Sequence, residues 1–167
     1  ILILTPTEQV ILATSRFGSQ PGVFMADVKG DPQTQAAAVK RAAESGNGVP
    51  ISEEQALGYA TTALQILLEL TGSPGGVFEA LDAKPALIEA LADARNDVTL
   101  GGGEVLAHLP TDDAQRSLAD AALTVGTRGE EIQVKLLRHL AFSARANGNL
   151  LTEAQIHGLM KLLAESS

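Results

Sequence analysis

Residues 98–106 read Val98-Thr99-Leu100-Gly101-Gly102-Gly103-Glu104-Val105-Leu106, and the three consecutive glycines decide how the chain is to be read. A phosphate-cradling loop would need a strand before it, a helix after it, and a spacing such as GxxxxGK[ST] or GxGxxG. Neither spacing is present, and no Lys, Ser or Thr follows at the required place. The other reading is a helix face stripped of side chains so that another piece of chain can lie against it. In a helix interior each glycine costs roughly 0.8–1 kcal/mol relative to Ala, about 3 in all. A cost of that size predicts close backbone approach, by a neighbouring helix or by the N-terminal segment. Gly101, Gly102 and Gly103 are therefore expected to be close-packing residues.

Composition agrees with closely packed helices. The chain has 167 residues, 45% of them hydrophobic but only 3% aromatic, so its core must be built from Ala, Leu, Ile and Val. That length suffices for one domain, or two small ones, with a true core. There is no Cys, which excludes disulfides, thiolate metal sites and thiol nucleophiles. No apolar run approaches the roughly 20 residues that span a bilayer, and ILILTPTEQ has no basic leader. A cytoplasmic protein with no membrane partner is the expectation, and the apolar opening without Met suggests a fragment or processed product.

The charge is uneven. Residues 1–50 hold four acids and four bases, so the entire net charge of −8 falls on the remainder. An acidic domain repels phosphate backbones, which argues against nucleic acid as a partner.

Ile1-Leu2-Ile3-Leu4 reads as a short buried strand. Thr5-Pro6-Thr7-Glu8 has the form of a capping box opening a helix over about 7–17, ended by Gly18. Val23–Val28 reads as a second strand, and Asp31-Pro32 as the start of a helix through about Ser45, stopped at Gly46-Asn47-Gly48. Strand, helix, strand, helix implies a parallel α/β layer over residues 1–48. Two such strands would leave unpaired edges, so either further strands precede Ile1 or a second copy supplies them in a homodimer.

From residue 49 to 167 the signals are helical. Ser52-Glu53-Glu54-Gln55 is a capping box leading into a helix through about Leu70, with Leu57, Ala60, Leu64 and Leu67 on one face. Further helices are expected near 76–81, 84–94, 97–109, 113–125, 130–146 and 152–165. Pro85-Ala86-Leu87-Ile88-Glu89-Ala90-Leu91 is echoed 31 residues later by Arg116-Ser117-Leu118-Ala119-Asp120-Ala121-Ala122. Asp97-Val98 through Leu106 is likewise echoed by Glu131-Ile132 through Leu140, and a third first helix starts at Gln155-Ile156. These pairs resemble HEAT-type repeats over about residues 80–165. The resemblance implies a stack of helical hairpins, a mostly α chain, and a surface suited to protein partners.

The opening resembles a different family. ILILTP, a helix, VFMADVKGDP and another helix look like the last two strand–helix units of a response-regulator receiver domain. The resemblance gives Thr5 the place of the switch Thr and Lys29 that of the Lys ending the last strand. Gly30 stands where that family has Pro, and the half that would hold the acidic pocket and phosphoacceptor Asp is not in this chain. The resemblance implies a receiver-like scaffold without phosphotransfer.

The remaining candidates for chemistry read as structural. His108, His139 and His157 have no i, i+4 ligand spacing, so no metal is expected. Asp112-Asp113 and Glu130-Glu131 sit at helix starts, where the macrodipole favours anions. Ser52, Ser73 and Ser117 lack a nucleophile-elbow pattern. Lys135, Arg138 and Arg145 fall at helical spacing that puts them on one face, a docking site for an acidic partner or a solvated surface. The expectation is a non-catalytic interaction or scaffolding module that needs no cofactor. Two alternatives stand beside it: a signalling output module with a degenerate receiver-like part, and a helical-repeat enzyme such as a chromophore lyase.

Overall fold

The structure, a computed structural model, describes strand residues 2–4, 10–17, 20–27 and 49–50, and residues 52–72, 80–124 and 129–165 with their side chains. The chain divides into two compact units, Ile1–Ala63 and Leu64–Ser167. The division falls inside the first helix, and each unit is described by itself.

In the first unit the described strands are β1 (Leu2–Leu4), β2 (Val10–Phe17), β3 (Gln20–Asp27) and β4 (Val49–Pro50). They form one sheet in the order β1-β2-β3-β4, with every neighbouring pair antiparallel. The helix expected over about 7–17 falls where the described strand β2 runs, Val10–Phe17. The physical reason is visible in the register. Phe17 pairs with Gln20, which leaves the two-residue link Gly18-Ser19, a composition favoured in tight hairpins. Val10, Ile11 and Thr14 add β-branched side chains, which suit a strand better than a helix. The helix expected from Asp31 to Ser45 lies outside the described residues, as do Thr5 and Lys29.

The long helix α1 (Glu53–Thr71) starts on the Ser52/Gln55 capping box. The Gln55 amide donates to Ser52 Oγ at 3.1 Å, and Gln55 Oε1 accepts the Ser52 amide at 3.0 Å. The short helix expected near 76–81 lies mostly outside the described residues.

The second unit continues with α2 (Lys84–Ala90), α3 (Asn96–His108), α4 (Asp112–Thr124), α5 (Glu130–Asn147) and α6 (Glu153–Glu165). Counting α1, the described residues form six α-helices. Helix α2 was expected to run to residue 94 but ends at Ala90. The Leu91, Ala92 and Asp93 amides each donate three residues back, tightening the chain into a turn. Asp93 then holds the exit: its carboxylate takes the Arg95 amide at 2.9 Å and a two-point ion pair from the Arg95 guanidinium.

Helices α2 and α3 form one hairpin, and α4 and α5 the next. First helices stack on first helices, α2 on α4 and α4 on α6, and second helices do likewise, α3 on α5. This two-layer stacking is consistent with a helical repeat. The sequence echo marks the shared core: Leu87 and Leu118 are both buried, as are Val98 and Ile132, and Leu106 and Leu140.

Two buried glutamines join the hairpins. Gln115 Nε2 donates to Ser143 Oγ at 3.2 Å and to the Gly148 carbonyl at 3.0 Å, and its Oε1 accepts the Leu150 amide at 2.7 Å. Gly148 ends α5 with φ of +80°, a backbone conformation that side chains oppose. Gln155 Nε2 donates to the Arg116 carbonyl at 3.0 Å and to Asp120 Oδ1 at 2.6 Å. Its Oε1 also caps α6 by accepting the Thr152 amide at 3.1 Å.

Candidate functional site

All three glycines of the decisive stretch lie inside α3. A Cβ on Gly102 would sit 2.9 Å from Ala90 Cβ and 3.3 Å from the Leu87 carbonyl oxygen, both on α2. One on Gly103 would meet Leu136 Cδ2 at 3.0 Å and Leu118 Cδ2 at 3.3 Å. Gly101 faces Leu64, whose Cδ1 would lie 2.9 Å from the added carbon. Their surroundings are apolar side chains and helix backbone.

The carboxylates at helix starts are engaged locally. Asp113 is ion-paired to Lys84, which ties α4 to α2, and this pairing, with help from Thr111, holds its carboxyl below the usual range. Asp112 pairs with Arg116 one turn on at 2.8 Å, and Arg116 Nε donates to the Leu150 carbonyl at 3.0 Å.

The histidines separate. His157 is exposed on α6, whereas His108 on α3 and His139 on α5 lie near enough to interact electrostatically. Burial lowers the His139 pKa, the Glu104 carboxylate opposes that shift, and His108 adds to it. Among the described residues, no group of three or more His, Asp or Glu is placed to hold a metal ion.

The richest surface belongs to α5. Ile132, Leu136, Leu140 and Ser143 turn inward, and the opposite face carries Glu131, Val134, Lys135, Arg138, Phe142 and Arg145, all exposed. Lys135, Arg138 and Arg145 are thus brought to one side of one helix. They are not equivalent. Lys135 Nζ donates to Glu131 Oε1 at 2.7 Å, the i, i+4 pairing that favours an exposed helix. Among the described residues, no ion pair or hydrogen bond engages the Arg138 or Arg145 side chain. The N-terminal half of the face borders an open depression of about 460 Å³ lined by Glu130, Glu131, Val134, Lys135 and Arg138.

Phe142 is the residue that sequence reasoning passed over. It is 45% exposed, one of four phenylalanines in the chain, and sits one turn after Arg138 and three residues before Arg145. Its ring lies 4.7 Å from that of His108, tilted by 52°, so the neighbouring helix braces it. Met160 and Leu163 on α6 are exposed as well.

No family model, curated protein or solved structure matches this chain. No helix among the described residues is long and apolar enough to cross a membrane.

Proposed function

We propose that residues 64–167 form a HEAT-like repeat module that acts as a non-catalytic protein-interaction scaffold, with the exposed face of α5 as its docking surface. The observation that carries this reading is the placement of Phe142 between two unpaired arginines on a helix whose other face is fully committed to the core. Aromatic and arginine side chains dominate the energetics of protein interfaces, and a large exposed aromatic gains most from being covered. Stacked hairpins supply the rigid backing such a surface needs.

The test is selection of binders from a random peptide display library on the full chain. The reading requires enriched peptides whose binding is lost in Phe142→Ala, with the helical content of the variant unchanged. Failure to enrich any peptide dependent on Phe142 would remove it.

A further inference from the structure

The charge and spacing on α5 define its occupant more narrowly. We infer that this face takes an acidic amphipathic helix, bearing carboxylates two turns apart with an apolar anchor between them. The inference rests on the docking surface proposed above and specifies what binds there.

Charge complementarity comes first. The chain carries a net charge of −8, yet the exposed face of α5 presents Lys135, Arg138 and Arg145 against Glu131, with Glu130 at its N-terminal border. Because Lys135 is already paired with Glu131, the free positive charge resides on the two arginines. A guanidinium presents a planar fork that matches a carboxylate with two parallel hydrogen bonds.

Spacing comes second. Arg138 and Arg145 are seven residues apart, about 10.5 Å along the helix axis at 1.5 Å per residue. A partner helix lying along α5 repeats that distance between its own residues i and i+7. Its residues at i+3 and i+4 then fall between the two ion pairs, where Phe142 waits with its ring braced by His108. The partner face therefore reads acid, apolar, acid over two turns, a helix-on-surface mode anchored at its centre.

A phosphate backbone fits less well. Glu130 and Glu131 border the head of the same face, and the net charge of the whole molecule repels a polyanion that must run past it.

The test uses the full chain and fluorescein-labelled helical peptides measured by anisotropy. One peptide carries glutamates at i and i+7 with leucines at i+3 and i+4, a second has lysine in place of both glutamates, and a third has alanine in place of both leucines. Only the first is expected to bind tightly, with affinity falling as salt rises. Arg138→Glu combined with Arg145→Glu should weaken it by about tenfold or more, and Phe142→Ala by a comparable factor. Circular dichroism confirms folding of each variant. Equal binding of the lysine peptide, indifference to the double arginine reversal, or displacement by a single-stranded oligonucleotide at lower concentration than the peptide would each overturn the inference. If the display library yields Phe142-dependent peptides that are not acidic, the docking surface stands and the acidic-helix assignment falls. If it yields none, both fall.

Discussion

The Gln115 side chain accepts the backbone amide of Leu150 at 2.7 Å, joining the middle of the helical stack to the loop that leads into the last helix. Gln115 is fully buried, and its amide nitrogen is spent on Ser143 and Gly148. One side chain therefore satisfies two backbone groups that the α5–α6 loop would otherwise leave without partners.

Gln115→Leu keeps most of the volume and removes every one of these bonds. Leaving buried partners unsatisfied costs about 1–3 kcal/mol each, so a net loss of about 2–4 kcal/mol is expected. Urea denaturation measures it, and hydrogen exchange at the Leu150 amide should accelerate in the variant. An unchanged midpoint and unchanged exchange would show that the loop is held by other means.

The glycines of α3 differ in what they tolerate. Alanine normally gains about 0.8–1 kcal/mol over glycine in a helix interior. At Gly102 the new carbon meets Ala90 Cβ and the Leu87 carbonyl, neither of which can swing aside, so Gly102→Ala is expected to destabilise by about 1–3 kcal/mol. At Gly101 the nearest atom is the far end of the Leu64 side chain, which can rotate, so Gly101→Ala should be neutral or stabilising. Thermal denaturation of the two variants side by side checks the order, and a reversed order would refute the packing argument.

His139 supplies a pH dependence. Burial makes it a weaker base in the folded chain than in the unfolded one, so the unfolded state takes up a proton first as pH falls. Its contribution to stability is complete above the ordinary histidine range, near about pH 6.5, and is lost as pH falls through the lower folded value. His139→Gln should flatten the fall in stability between neutral and mildly acid pH. Melting curves over that range decide it; identical slopes in the two proteins would count against the burial effect.

The Lys84–Asp113 pair titrates in a more acid range. Its carboxylate is held below the usual range, so its stabilisation is present above about pH 4 and disappears as pH drops through the folded value. The Asp113 side chain is 48% exposed, and screening limits the pair to under about 1 kcal/mol. Lys84→Met should therefore cost little at neutral pH, and its difference from the parent should close in strong acid. A double-mutant cycle with Asp113→Asn isolates the coupling.

The helices of the second half could be read from the sequence because two independent signals coincide there. Ser52/Gln55 announces the first turn of α1, and Leu57, Ala60, Leu64 and Leu67 recur along it at the three- and four-residue spacing of one helix face. Val10–Phe17 lacks that redundancy. Its apolar run suits helix or strand, and Thr5 and Glu8 upstream have the spacing of a capping box. The deciding feature was the two-residue Gly18-Ser19 link, which gains meaning only once Phe17 is paired with Gln20. At the candidate site, charge was readable and exposure was not. Arg138 and Arg145 declare themselves as surface residues by type, whereas a phenylalanine defaults to the core until the inward face of α5 is known. Gln115 and Gln155 are polar residues taken inward by backbone groups far along the chain, and no local periodicity marks them.

The arginines of α5 and the glutamines of the joints also differ in how freely they can drift. Among the described residues nothing bonds the Arg138 or Arg145 side chain, so substitution there is expected to leave the fold undisturbed. Gln115 and Gln155 each answer to three partners at once, and few residues could replace them. If α5 is the docking surface proposed above, its partner could be rewritten one surface codon at a time while the architecture beneath is inherited intact.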